Sequence, residues 1–123
     1  MTKTSRLSYA GTIAALSKTI ADAGNTIFAT IDQCTAAKTA GLTMRPTTLM
    51  IFGNPKGGTP LMQAFPLVAL ELPLKLLIWE EDGTVNVSFV PMSEIAARYS
   101  ITGFEAQISA MDRAIDALTA SVI

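Results

Sequence analysis

The feature that most constrains the fold is a β-hairpin signal in the second half of the chain. Two runs of strand-forming residues, 72–80 and 85–90, flank the turn sequence EDGT at 81–84. Asp followed by Gly supplies the positive φ angles that a two-residue hairpin turn requires. In the second run, apolar residues alternate with Asn86 and Ser88, so one face of that strand is apolar. The sequence therefore predicts an antiparallel sheet with one buried face.

Helix and strand patterns alternate along the rest of the chain. We expect a short strand at 6–9, then a helix from Thr12 to Gly24 with an apolar stripe of Ile13, Leu16 and Ile20. Further strands are predicted at 26–31 and 48–52, and further helices from an Asp32 cap through Ala40, from a Thr59 cap through Ala64, and after Pro91 through Tyr99.

The last helix is predicted to open with a capping box at 102–105. It carries a narrow apolar seam that should pack lengthwise on a sheet or on another helix, formed by Phe104, Ile108, Met111, Ile115, Leu118 and Val122. Without a linker or an internal repeat, residues 1–123 form one domain. We predict an α+β fold of two layers, with helices on one face of a mostly antiparallel sheet.

The composition indicates a soluble protein that pairs with itself. Half of the 123 residues are hydrophobic and 15% are charged, whereas roughly 25% is usual. Mean hydropathy is +0.40. A body this small cannot easily bury so much apolar surface, so we expect a homodimer.

Charge and cysteine content exclude several classes of function. The net charge is −1 and the nine basic residues are scattered, so no nucleic-acid footprint and no membrane-binding basic helix is expected. The apolar stretch 61–79 contains two prolines and two charges, which argues against a membrane span. We find no secretory signal, one cysteine and no histidine. A cytoplasmic protein without metal or cofactor is the resulting expectation.

The Gly-rich segment 51–63 is the leading candidate site. We interpret it as a loop that opens a helix at Thr59-Pro60, where free amides could hold an anion. The predicted ligand groups for a phosphate or carboxylate are the amides of Gly57, Gly58 and Thr59, with Lys56 and Asn54. The segment is not a P-loop, because its lysine lies inside the loop. The alternative is a connection that needs positive φ at its glycines and in which Asn54 makes a local turn hydrogen bond.

Other candidates have structural alternatives. Cys34 lies in the first turn of a predicted helix, which favours a thiolate, but no second Cys or His assists it. The acidic residues 80–82 are interpreted as a solvated hairpin tip, because adjacent strand residues point to opposite faces. Arg45 and Arg98 could contact an anion or bridge to a carboxylate. Glu71 and Lys75 could line a cleft, pair across an interface or lie on an exposed strand edge. Trp79 is interpreted as a core or interface anchor.

Several sequence blocks resemble one bacterial family, the domain-of-unknown-function family 302. They are Gly41-Leu42, Arg45-Pro46-Thr47, Ile51-Phe52-Gly53-Asn54-Pro55, Gly58-Thr59-Pro60-Leu61-Met62-Gln63, Leu72-Pro73-Leu74, Trp79-Glu80 and Ala96-Ala97-Arg98. The resemblance covers about residues 25 to 100 and, more loosely, the terminal helices. It implies a two-layer α+β fold similar to the TATA-binding-protein-like arrangement, usually as a homodimer, and no established activity.

This chain also departs from the family pattern. Gln33 and Tyr99 stand where many relatives have histidine, and Phe89-Val90-Pro91 replaces an Asn-Asp-Pro sequence. Since the chain has no histidine, an imidazole-based mechanism is excluded.

Three functions are consistent with these observations. The favoured hypothesis is a homodimeric, non-catalytic domain that binds a small anionic or amphipathic molecule near residues 53–59, with Arg98 as a further contact. The first alternative is an enzyme or redox protein that uses Cys34 or carboxylates. The second alternative is a structural or accessory module whose role is oligomerisation.

Overall fold

The computed structural model describes residues 1–123 in full and is a five-stranded antiparallel sheet with five α-helices. The strands are β1 (Thr2–Thr4), β2 (Thr26–Asp32), β3 (Thr47–Gly53), β4 (Leu74–Glu81) and β5 (Thr84–Ser88). The helices are α1 (Tyr9–Asp22), α2 (Gln33–Thr39), α3 (Pro55–Ala64), α4 (Met92–Arg98) and α5 (Glu105–Ala120), with a 3₁₀ helix at Pro66–Leu70. The predicted α+β class is confirmed. No helix is both long enough and apolar enough to cross a membrane.

The strand order is β1-β5-β4-β3-β2, and every neighbouring pair is antiparallel. The predicted hairpin joins β4 to β5, and Asp82 and Gly83 adopt φ angles of 51° and 79° at its turn. Ile78 and Val87, paired across this hairpin, are fully buried beneath the helices. Their neighbours on the opposite, outer face of the sheet, such as Leu77, are only half-buried.

Two apolar clusters form the interior. The larger cluster joins α1 and α5 to the inner face of the sheet and contains Leu16, Ile20, Met50, Phe52, Leu76, Ile78, Val85, Val87, Phe89, Ile115, Leu118 and Val122. The smaller cluster lies among α3, α4 and α5 and contains Leu61, Val68, Leu72, Met92, Ile95, Ala96 and Ile108. Helix α5 contributes to both clusters, as its predicted apolar seam requires.

The N-terminal elements differ from prediction. The prediction of a strand at 6–9 is wrong, because α1 begins at Tyr9. Ser8 is its cap, and the Ser8 Oγ accepts a hydrogen bond from Gly11 N–H at 3.0 Å. The first strand lies earlier, at Thr2–Thr4, where it pairs with the edge of β5. Lys3 fixes it on α5 through Asp116 at 3.0 Å.

Helix α3 begins five residues earlier than the predicted Thr59 cap allows. Asn54 is its cap, with Oδ1 accepting from Lys56 N–H at 3.0 Å, and Pro55 occupies the first helical position. Gly57 and Gly58 are therefore helical and have no positive φ, so the predicted loop conformation is wrong. The sequence signal for this start is the Asn54-Pro55 pair, since Asn is a favoured cap and Pro a favoured first helical residue.

The other predicted caps had mixed outcomes. Asp32 caps α2 as predicted. Its carboxylate accepts a hydrogen bond from Thr35 N–H at 2.9 Å, and this bond is the main cause that lowers the pKa of the carboxyl. The prediction of a capping box at 102–105 is wrong, because α5 begins at Glu105 and no side chain caps it. Glu105 does make a hydrogen bond back to the preceding turn, since its Oε1 accepts from Gly103 N–H at 3.1 Å.

Candidate functional site

A cleft of about 370 Å³ opens where the two apolar clusters meet, and we call it the first cleft. One wall is the end of the sheet, with Phe52 of β3 and the exposed Phe28 of β2. The start of α3 and the Leu72–Leu74 segment form a second wall, and α5 closes the third side with Met111 and Ala114. Its volume lies within the range of roughly 300–1,000 Å³ that is usual for small-molecule sites.

The lining of the first cleft is apolar and carries no charge. None of its 19 lining residues is Asp, Glu, Lys or Arg. Its polar side chains are those of Asn25, Asn54, Thr59 and Gln107. An apolar wall with a few neutral hydrogen-bonding groups suits a small uncharged molecule that has one polar end.

The residues predicted to bind an anion lie partly on this cleft. Asn54, Gly57, Gly58 and Thr59 line it, whereas Lys56 does not. The amides, however, are engaged within the helix: Gly57 N–H and Gly58 N–H donate to the Asn54 carbonyl at 2.9 and 3.2 Å. Since Lys56 N–H is held by the Asn54 side chain, the start of α3 offers few free donors to an anion.

Arg98, the remaining predicted site residue, lies at a different place. Its Nη1 lies 3.5 Å from Glu71 Oε1, which also accepts a hydrogen bond from the Tyr99 hydroxyl at 2.9 Å. That hydrogen bond to the carboxylate raises the pKa of Tyr99 above its usual value. Glu71 is thus held between two donors, the Tyr99 hydroxyl and the Arg98 guanidinium.

The other candidate residues make hydrogen bonds or ion pairs within the fold. Cys34 lines neither this cleft nor the second one described below, and its Sγ donates to the Met44 carbonyl at 3.2 Å. Arg45 pairs with Glu81 at 3.3 Å beside the hairpin turn. Trp79 is half-buried on the outer face of the sheet, where its Nε1 donates to Ser88 Oγ at 2.9 Å.

Sequence reasoning missed the contribution of α5 to the first cleft. Gln107, Ala110, Met111 and Ala114 line it at spacings of three and four residues, so they form one face of the helix. The small side chains at 110 and 114 keep the cleft open. The sequence does show this stripe, but only the fold shows what it faces.

The predicted homodimer stays a prediction, because the structure describes one chain. Four exposed large apolar side chains lie in edge strand β2 or in the segment after α2: Phe28, Ile31, Leu42 and Met44. An exposed strand edge of this kind is a typical self-association surface.

Comparison with known proteins identifies relatives of two kinds. The crystal structure of the uncharacterized conserved protein DUF302 from Bacillus stearothermophilus superposes with a TM-score of 0.91, covering all of this chain and 97% of the other at 16% identity. Proteins named fluoride-specific ion channel FluC 1 of Brucella suis and FluC 2 of Brucella melitensis are 38% identical over 102 residues. That match covers 82% of this chain but only 40% and 38% of those proteins' lengths.

The profile of the family described as domain of unknown function DUF302 matches residues 1–118, nearly the whole chain. The blocks that carried the resemblance lie within this range. The chain therefore belongs to the DUF302 family.

Proposed function

We propose that this protein is a non-catalytic binding domain whose first cleft holds a small amphipathic molecule without net charge. The observation that carries the proposal is a cleft of about 370 Å³ in which apolar walls meet a few neutral polar groups. Ligand tails would lie against Phe52, Met62 and Met111, because apolar surface removed from water is the main source of affinity. Asn54 and Gln107 supply amide groups for a hydroxyl or carbonyl at the polar end.

The amphipathic form of the hypothesis is preferred to the anionic form. A buried anion needs cationic side chains or free amides. The wall of the first cleft has no cationic side chain, and the amides of Gly57 and Gly58 are already hydrogen-bonded. A neutral headgroup avoids that desolvation penalty. Binding should therefore depend little on salt concentration, since no ion pair is formed.

The experiment compares the octanol affinity of two variants, each of which replaces one alanine of α5 by phenylalanine. Both alanines are exposed, but Ala114 lines the first cleft, whereas Ala117, one turn further along the helix, does not. Ala114→Phe fills the cleft and should weaken 1-octanol binding by about tenfold or more, which is about 1.4 kcal/mol. Ala117→Phe adds the same side chain and should leave binding unchanged.

Ligand-observed NMR with saturation transfer measures this affinity. Unchanged octanol binding in Ala114→Phe would contradict the proposal, as would no detectable binding to the unmodified chain. Circular dichroism of both variants establishes that the comparison is made between folded proteins.

A second candidate function is an accessory role for a fluoride channel. It is favoured by the 38% identity over 102 residues with proteins that carry the name of such a channel. On this hypothesis the chain acts on a channel as a separate domain, in the way the matched segment would act within the longer protein.

Fluoride efflux from vesicles tests this second candidate. The vesicles contain the Brucella suis protein from which the matched segment has been deleted. Added chain is expected to change the efflux rate, and an equal amount of an unrelated acidic protein is the control. Equal rates with and without the chain, together with no binding to the vesicles, would refute it.

A further inference from the structure

A second cleft, of about 390 Å³, lies on the outer face of the sheet. Its floor is a row of paired residues that crosses four strands: Leu49, Leu77, Ser88 and Thr2. Since successive residues of a strand point to opposite faces, this row faces away from the first cleft. Val90 adds a further apolar wall. The two clefts are therefore separate sites.

The second cleft differs from the first in having charged residues at one end. Glu71 and Lys75 both line it. Glu71 is already engaged, since its Oε1 accepts from Tyr99 and lies 3.5 Å from Arg98. Arg98 does not itself line the cleft, but its ion pair with Glu71 offsets that carboxylate and leaves the positive charge of Lys75 unbalanced.

Lys75 is a cation of this cleft that has no partner carboxylate, as is the amino group of Met1, which donates to the Phe89 carbonyl at 2.8 Å, away from the Glu71 end. Its Nζ donates to the carbonyl oxygens of Glu71 and Pro73 at 3.0 and 3.3 Å, and no acidic oxygen lies within ion-pair distance. An ammonium group has three donors, so one N–H remains free. The two carbonyl contacts hold the ammonium in place beside the apolar floor. A fixed, half-buried cation next to apolar surface attracts an anionic head with an apolar tail.

We propose that the second cleft binds a small amphipathic carboxylate, with its carboxylate on Lys75 and its tail along Leu77 and Leu49. The carboxylate accepts the third N–H of the ammonium, and the tail covers the half-buried outer face of β3 and β4. This site does not depend on the function proposed for the first cleft, because the two share only Leu74 among their lining residues.

Octanoate is the probe, because it shares the chain length of the octanol used for the first cleft and differs in its charged head. In Lys75→Met the apolar stem is retained and the charge is lost, and octanoate affinity should fall about tenfold or more. Lys75→Arg keeps the charge, so its octanoate affinity should stay within about threefold of that of the unmodified chain. The matched control is Lys56→Met, because Lys56 is exposed and lines neither cleft.

Chemical-shift mapping on the unmodified chain locates the site without relying on any variant. Octanoate should shift the amide signals of Leu77 and Ser88, and raised salt should weaken its binding. Octanol binding should be the same in Lys75→Met as in the unmodified chain. Shifts confined to Met111 and Ala114 would overturn the proposal, as would equal octanoate affinity in Lys75→Met or the absence of octanoate binding. Failure of octanol to bind would count against the first cleft alone.

Discussion

Replacing Phe52 by alanine is expected to lower the free energy of unfolding by about 3–5 kcal/mol. Phe52 is 1% exposed and packs in the larger cluster between the sheet and helices α1 and α5. Its strand neighbours Ile27 and Leu74 pair with it on both sides, so the backbone there cannot easily collapse into the space that the ring leaves. A chain of this length has about 5–15 kcal/mol of stability in total, so the loss is a large fraction.

Phe28 is the matched control for this substitution. It is also a phenylalanine that lines the first cleft, but it is 52% exposed on edge strand β2. Phe28→Ala should therefore cost less than about 1 kcal/mol. Urea unfolding followed by circular dichroism measures both variants, and the slope of the transition should be unchanged. Equal losses in the two variants would show that the larger cluster does not carry the stability assigned to it.

The strands that sequence reasoning placed correctly are those with strong local signals. β2 and β3 are rich in β-branched residues, and β4 and β5 flank an Asp-Gly turn, so each is specified by neighbours along the chain. β1 carries no such signal, because Thr2–Thr4 is short and polar. It forms a strand because β5 offers an open edge and Lys3 contacts α5, which are contacts between distant parts of the chain.

The candidate site could be predicted only in part. Asn54, Gly57, Gly58 and Thr59 do line a cleft, since a Gly-rich helix start leaves space beside the backbone. The character of that cleft depends on Phe28 and on α5, which lie far away in sequence and give it apolar walls. The second cleft depends on strand register, which places Leu49 beside Leu77 and Ser88. No local pattern contains that information.

Helix α4 shows the same dependence on residues that are distant along the chain. Its cap position is Pro91, which offers no side-chain hydrogen bond. Asp112 of α5 supplies the cap instead: its two carboxylate oxygens accept from Met92 N–H at 2.6 Å and from Ser93 N–H at 3.1 Å. One side chain thus satisfies two amides of a helix that lies twenty positions earlier in the chain.

Asp112→Ala is expected to lower the free energy of unfolding by about 2 kcal/mol. Caps of this kind contribute about 0.5–2 kcal/mol, and hydrogen bonds to charged groups about 1.5–3 kcal/mol. The loss should lie near the upper end of the cap range, because Met92 is fully buried and water cannot easily replace the carboxylate at its amide.

Asp116, one turn further along α5, is the matched control. Its side chain is 61% exposed and pairs with Lys3 at 3.0 Å, so Asp116→Ala should cost at most about 1 kcal/mol. Asp112→Asn keeps one acceptor oxygen, so its free energy of unfolding should lie between those of Asp112→Ala and the unmodified chain. Amide hydrogen exchange should show faster exchange at Met92 and Ser93 in Asp112→Ala alone. If exchange there stays slow while stability is unchanged, α4 does not depend on α5 for its cap. The smaller cluster, which α4 and α5 share, would then be held by apolar packing alone.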